Sequence, residues 1–184
     1  MLRLCSSSQT RSMLLTNAGV VFKQESVDFD EDSIVASSPK NFVYQATLGK
    51  YNANVAAFGY EDMPLVVADT VVTSQGLILR KAKCVDDARN ILITQSGNIT
   101  SIITCMIYQS KNKKVIDISQ TDYIFSAFDM DDLDAYLESG EWRGKAGACM
   151  VEGFCKSYIK EVRGYESTAM GLSVEVLQRF MEES

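Results

Sequence analysis

The chain has 184 residues, 46% of them hydrophobic, with 18 Lys and Arg against 24 Asp and Glu, five cysteines, two prolines and no histidine. The length suits one globular domain, and the lack of histidine excludes Ser-His-Asp and Cys-His triads, His-ligated zinc and the HExxH helix. A net charge of -6 argues against a protein that grips polymeric nucleic acid, because that affinity comes mainly from Lys and Arg neutralising phosphates. A small anion held by a few local cations stays open.

The acidic excess falls mainly in residues 93–184, so an anion sits more easily with the first half. Cys5, Cys84, Cys105, Cys149 and Cys155 are odd in number and contain no CxxC pair. That pattern points to buried free thiols in a reducing cytoplasm rather than a zinc site or a disulfide framework. No apolar run reaches the ~18–20 residues of a spanning helix, and Met1-Leu2-Arg3-Leu4 meets serines too early for a signal segment. The expectation is a cytoplasmic protein with no membrane partner.

Residues 1–5 read as a short strand, and Ser6-Ser7-Ser8 leads into a helix over 9–18 that Gly19 stops. A strand over 20–27 precedes the acidic turn Asp28-Phe29-Asp30-Glu31-Asp32. Ser38 and Pro39 supply the N-cap and first position of a helix reaching about residue 57. The run Leu65-Val66-Val67-Ala68 has the unbroken apolar character of a strand buried on both faces, and it ends at Asp69-Thr70. After the basic run Arg80-Lys81-Ala82-Lys83, Asp86 caps a helix through about Gln95, and strands over 101–108 and 115–128 pair through a turn over 110–114. Asp129 and Asp132 open a helix that Gly140 stops, and Ser173 begins a last amphipathic helix through Val176, Leu177 and Phe180. Together the β-α-β and hairpin signals predict an α/β fold with a mixed sheet.

Chemistry can gather at three places. Hydroxyls, free backbone N–H groups and Arg11 meet at the N-terminus of the first helix, where phosphate is the natural guest, although a plain serine cap has the same sequence. Asp69 stands at the carboxyl end of a buried strand, where open α/β sheets bind ligands; it can hold a divalent ion, accept a proton, or occupy an ordinary turn. Asp28, Asp30, Glu31 and Asp32 offer further oxygen ligands or a solvated turn. No G-x-x-x-x-G-K-[ST], G-x-G-x-x-G or EF-hand loop is present.

In order, Cys5-Ser6-Ser7-Ser8-Gln9-Thr10-Arg11-Ser12-Met13-Leu14-Leu15, Asp28-Phe29-Asp30-Glu31, Ala68-Asp69-Thr70-Val71-Val72 and Lys145-Ala146-Gly147-Ala148 resemble the motifs of the Maf family. These are the septum-formation-like nucleoside triphosphate pyrophosphatases. The resemblance covers nearly the whole chain, with weaker matches at Ser96-Gly97, Glu152-Gly153 and Met170-Gly171-Leu172. Against the family's A-S-x-S-P-R-R, Ser6, Ser8 and Arg11 match, while Gln9 and Thr10 replace the proline and the first arginine. The family's early glutamate falls on Glu31, its Ala-Asp-Thr aspartate, the proposed proton acceptor beside the metal, on Asp69, and its G-K-P lysine on Lys81. Its helical lysine aligns with Gly49, so that Lys50, one place on, is the stand-in. Its I-Q-G reads Val151-Glu152-Gly153 here, which exchanges an amide donor for an acceptor-only carboxylate.

The resemblance implies the inosine-triphosphatase-like α/β fold in one domain over 1–184, with a long mixed sheet, flanking helices and a cleft between two lobes. It implies hydrolysis of a nucleoside triphosphate to monophosphate and pyrophosphate, with Mg²⁺ or Mn²⁺ on Glu31 and Asp69. Phosphate contacts would come from Ser6, Ser8, Arg11, Lys50 and Lys81, and base selection from Thr10, Thr70 and Glu152. A homodimer is compatible with such a family, though no stretch marks an interface. Departures at Thr10, Gly49, Ala82 and Glu152 leave a second reading, a non-catalytic nucleotide-binding protein or cell-division regulator. A third is a metal-dependent phosphohydrolase acting on a sugar phosphate or monophosphate.

Overall fold

The structure, a computed structural model, describes residues 1–31, 34–149 and 151–182, so Asp32 of the acidic turn lies outside the described residues. The elements are β1 (Leu2–Leu4), α1 (Gln9–Asn17), β2 (Phe22–Gln24), α2 (Pro39–Phe58), β3 (Leu65–Ser74), β4 (Leu77–Ile78), α3 (Val85–Gln95), β5 (Ile99–Gln109), β6 (Lys114–Phe125), α4 (Met130–Ser139), β7 (Ile159–Arg163), α5 (Glu166–Ala169) and α6 (Val174–Glu182). A 3-10 turn, Phe154–Tyr158, precedes β7. Strands hydrogen-bond in the order β2-β1-β3-β5-β6-β7, with β4 beside β3. β1 runs parallel to β2 and β3, whereas β3 with β4 and β6 with β7 are antiparallel, which makes the α/β sheet mixed as the sequence predicts.

The chain divides into two compact units, one of Met1–Thr70, Ile103–Gln120 and Tyr165–Ser184, the other of Val71–Ile102 and Thr121–Gly164. In the first unit the sheet is buried on both faces. Leu2, Leu4, Val66, Ala68, Met106 and Tyr108 share a core with Leu15 of α1 and Leu177 of α6, while Leu65, Val67 and Ile107 pack with Tyr51 of α2. Each fully buried leucine contributes roughly 1.5–3 kcal/mol. Successive strand residues point to opposite faces. The same alternation therefore sends Asp69 toward α2 and Thr70 toward α1. The helices start where the sequence places them: Ser8 Oγ accepts from Arg11 N at 3.3 Å and Ser38 Oγ from Asn41 N at 3.2 Å, each satisfying a first-turn donor.

In the second unit, Asp129 Oδ1 accepts from the backbone N of Asp131 and Asp132 at the start of α4, and Gly140 closes that helix in the left-handed region at φ 72°. The rings of Phe128, Phe154 and Tyr158 meet at centroid distances of 5.0 to 5.3 Å. Gly147 has φ 68°, and a Cβ there would lie 3.0 Å from Val72 Cγ1. Its N–H donates to the carbonyls of Leu79 and Arg80, and its carbonyl accepts from Gln95 Nε2 at 2.7 Å. Gly147→Ala should cost about 1–2 kcal/mol, from a left-handed L-residue pressed on a valine, read as a lower thermal midpoint by circular dichroism.

Five expectations change. β2 covers only Phe22–Gln24, because Val27 N turns away to Asn54 Oδ1 at 3.1 Å. β3 continues to Ser74, placing Asp69 in mid-strand rather than at its end, since the side chains after it keep alternating between buried and half-buried. Cys84 in extended backbone, not Asp86, is the N-cap of α3, and Asp87 Oδ2 accepts from Lys83 N at 2.9 Å. β6 stops at Phe125, after which Ser126 N donates to Tyr158 O at 2.8 Å. Cys149 and Cys155 form a disulfide across a short turn that brings their Cα atoms to 6.3 Å. Cys5 and Cys105 are the buried free thiols expected, their pKa values pushed up by desolvation to about 12 and about 11, and Cys84 is an exposed one. β4, the 3-10 turn, β7 and α5 have no counterpart among the elements expected from the sequence.

Candidate active site

The turn that follows β1 is a cradle of donors and hydroxyls. Ser6 Oγ accepts from Ser8 N at 3.2 Å and from Arg11 Nη1 at 3.1 Å. Gln24 Nε2 of β2 donates to the carbonyls of Ser6 and Ser8 at 2.7 and 3.3 Å, which fixes the turn against the neighbouring strand. Arg11, on the first turn of α1, donates from Nε to Gly171 O at 2.7 Å and from Nη2 to Thr70 Oγ1 at 3.3 Å. Burial lowers its pKa while the carboxylates of Asp69 and Glu31 pull it back up; guanidinium stays charged throughout the range in which proteins fold.

Beside the cradle two carboxylates converge on one ammonium. Lys50 Nζ of α2 lies 2.5 Å from Asp69 Oδ1 and 2.5 Å from Glu31 Oε1. The Asp69 side chain is 10% exposed. Desolvation pushes its pKa up, and Lys50 only partly opposes this. Asn54, one helical turn beyond Lys50, donates from Nδ2 to Lys50 O at 2.8 Å and accepts from Val27 N, so it ties the segment leading to Glu31 onto α2. A cavity of about 260 Å³ is lined by Ser6, Ser7, Ser8, Arg11, Glu31 and Lys50 among others.

The structure thus brings Ser6, Ser8, Arg11, Glu31 and Lys50 around one cavity, with Asp69 joined through Lys50 and Thr70 through Arg11. Gly49 has a different task from the lysine the family alignment puts there. A Cβ on it would fall 2.2 Å from Phe29 Cζ, so the glycine leaves room for the ring that anchors the acidic segment. Gly49→Ala should change stability by less than about 1 kcal/mol, because the gain in helix propensity offsets the moved ring. It should lower activity by shifting Glu31, so an unchanged kcat/KM with an unchanged thermal midpoint would show that Phe29 does not place Glu31.

Thr10 is exposed on the first turn of α1. Lys81 and Glu152 belong to the second unit. Lys81 forms an isolated antiparallel bridge with Ala146, so the Lys145-Ala146-Gly147-Ala148 motif holds the segment that carries it, and Glu152 is exposed in the turn between the bonded cysteines. The parts played here by Gln24, Asn54 and Gly171 were not foreseen. Gly171 lies in a weak family match that gives no role, whereas Asn54 carries a physical signal: an amide four residues after Lys50 on the same helical face, 1% exposed in the fold.

Among the described residues no group of three His, Cys, Asp or Glu could form a metal cluster. Glu31 and Asp69, however, already place two oxygens around one cationic nitrogen. Mg²⁺ and similar ions bind through one or two carboxylates completed by water and substrate phosphate, so these residues fit such an ion.

A family model described as Maf-like protein matches residues 1–184, and the chain belongs to that family. It is similar to three proteins named nucleoside triphosphate pyrophosphatase. That of a Nitratiruptor species is 56% identical over 185 residues, covering 100% of both chains. That of Helicobacter pylori is 37% identical over 174 residues, 95% of this chain and 91% of the relative. That of Campylobacter jejuni is 34% identical over 183 residues, 98% of this chain and 100% of the relative.

Proposed function

We propose that this protein is a nucleoside triphosphate pyrophosphatase that hydrolyses its substrate to the monophosphate and pyrophosphate. The observation that carries the reading is the pair of carboxylates, Glu31 and Asp69, held by one cation next to a serine and arginine cradle. Glu31 and Asp69 would hold a divalent ion, Mg²⁺ or Mn²⁺, which supplies charge neutralisation on the phosphates and a more acidic water. Asp69 takes the proton of the water that attacks the α-phosphorus; a carboxyl whose pKa is raised by burial is a better acceptor near neutral pH than an ordinary one. Ser6, Ser8 and Arg11 bind the phosphates that leave as pyrophosphate, through hydroxyls, the free N–H groups of α1 and the guanidinium fork. Lys50 balances the two carboxylates in the free protein and adds positive charge beside the cradle.

Lys81 as a further phosphate ligand, and Thr10, Thr70 and Glu152 as selectors of the base, rest on the family resemblance, as do the single domain over 1–184 and the inosine-triphosphatase-like form of the fold. A cytoplasmic location, a homodimer, and no partner among membranes or polymeric nucleic acids complete the reading. The test is product analysis over a panel of ordinary and modified nucleoside triphosphates with Mg²⁺ or Mn²⁺. Pyrophosphate and monophosphate in equal amounts are expected, and orthophosphate as the product would overturn the reading.

A further inference from the structure

We propose that Thr104 is a positioning residue for Arg11, acting through Thr70 by fixing the direction of a chain of buried hydroxyls. Thr104 belongs to β5, on the face that carries Met106 and Tyr108 toward α1 and α6, and it is fully buried. Its Oγ1 lies 2.7 Å from the carbonyl of Thr168 and 2.9 Å from Thr70 Oγ1. A carbonyl only accepts, and a hydroxyl has one proton. The proton of Thr104 is therefore committed to Thr168 O, and Thr70 must donate to Thr104. With its proton spent there, Thr70 presents only lone pairs on its other side, where Arg11 Nη2 donates to it at 3.3 Å. The polarity of the whole relay, from Arg11 through Thr70 and Thr104 to Thr168, is set by the carbonyl at its end.

The relay defines which guanidinium hydrogens face the cavity. Arg11 has five N–H donors, and among the described residues three are engaged: Nε on Gly171 O, one hydrogen of Nη1 on Ser6 Oγ and one of Nη2 on Thr70 Oγ1. Nη1 and Nη2 each carry a second hydrogen, and two N–H groups side by side on a guanidinium edge are the fork that binds phosphate oxygens in pairs. Gly171 belongs to the same device. Its φ is 103°, and a Cβ on it would come within 3.3 Å of Thr70 Oγ1 and 3.4 Å of Arg11 Nε. Without the Thr104 hydroxyl, the proton of Thr70 loses its acceptor and can turn toward Nη2, so that a donor meets a donor and the fork loses its orientation.

This inference rests on reading Arg11 as a phosphate-binding side chain, and the experiment separates the two. Steady-state pyrophosphate release at varied nucleoside triphosphate, and the affinity for inorganic pyrophosphate by calorimetry, would be measured for wild type, Thr104→Val, Thr104→Ser and Arg11→Met. Thr104→Val, which keeps the shape and removes the hydroxyl, should raise KM and weaken pyrophosphate binding about three- to tenfold, the worth of one net hydrogen bond, while kcat changes less than about twofold. Thr104→Ser should restore both values. Weakened binding in Arg11→Met together with wild-type KM in Thr104→Val overturns the relay alone; unchanged binding in Arg11→Met overturns the Arg11 reading and the relay with it. Should Thr104→Val fold poorly, Thr70→Val, which removes the acceptor from the other end, must give the same rise in KM, and wild-type KM in that variant overturns the proposal.

Discussion

Replacing Asp69 by asparagine should lower kcat/KM by about 10²–10⁴-fold, the range lost with a positioned proton acceptor, while the protein becomes no less stable at neutral pH. Stability follows from the balance at this side chain. Its folded pKa lies above the ordinary 3.8, with desolvation the largest cause and the pull of Lys50 insufficient to reverse it. The folded chain therefore binds a proton that the unfolded chain has released, and the stability this group contributes is full below about pH 3.8 and lost as pH rises through the raised value. At pH 7 the buried carboxylate is a net cost, which a neutral amide of the same shape does not carry. Thermal midpoints of Asp69→Asn and wild type should converge near pH 4, and the variant should be equal or higher at about pH 7.5. A variant that is inactive because it unfolds would show the opposite order, and a variant with wild-type kcat/KM would remove Asp69 from the chemistry.

How much of this was legible in the sequence depends on the range of the interaction that decides each feature. Ser8, Ser38, Asp129 and Gly140 act on their own helix ends, so their positions in the chain were enough to place α1, α2 and α4. The apolar run before Asp69 marked a buried strand, but not its length. The later residues Val71 and Thr73 stay buried, and Ser74 Oγ reaches Ile99 O 25 residues away, contacts that the local run does not reveal and that carry β3 to Ser74. The choice between Gly49 and Lys50 likewise needed a distant neighbour. Once the ring of Phe29 occupies the space over Gly49, the next residue of α2 is the one whose ammonium reaches both Glu31 and Asp69. Gly171 could be matched to a motif but not explained, because its role lies in a carbonyl offered to Arg11 across 160 residues of chain. β7 lies in a segment without hydrophobic periodicity, and the Cys149 and Cys155 pairing depends on the fold bringing their Cα atoms to 6.3 Å, which cysteine spacing alone does not give.

Lys50→Met should damage both activity and stability, lowering kcat/KM by about 10²-fold through lost positive charge at the phosphates. With the ammonium gone, Glu31 and Asp69 face each other without a counter-charge. Breaking a buried pair costs roughly 3–5 kcal/mol, but Lys50 is 23% and Glu31 39% exposed, so solvent screening reduces the expected loss to about 2 kcal/mol. The pH dependence has a definite sign. Removal of Lys50 takes away the main influence that lowers the Asp69 pKa, so the window between the ordinary 3.8 and the folded value widens upward, and the deficit in thermal midpoint should grow as pH rises above that ordinary value. The double variant Lys50→Met with Asp69→Asn separates charge from packing. If the uncompensated carboxylate is the cause, the asparagine must return most of the stability lost with Lys50, a coupling of about 1 kcal/mol or more in the cycle. Additive losses would mean that the Lys50 stem, and not its charge, holds α2 to β3.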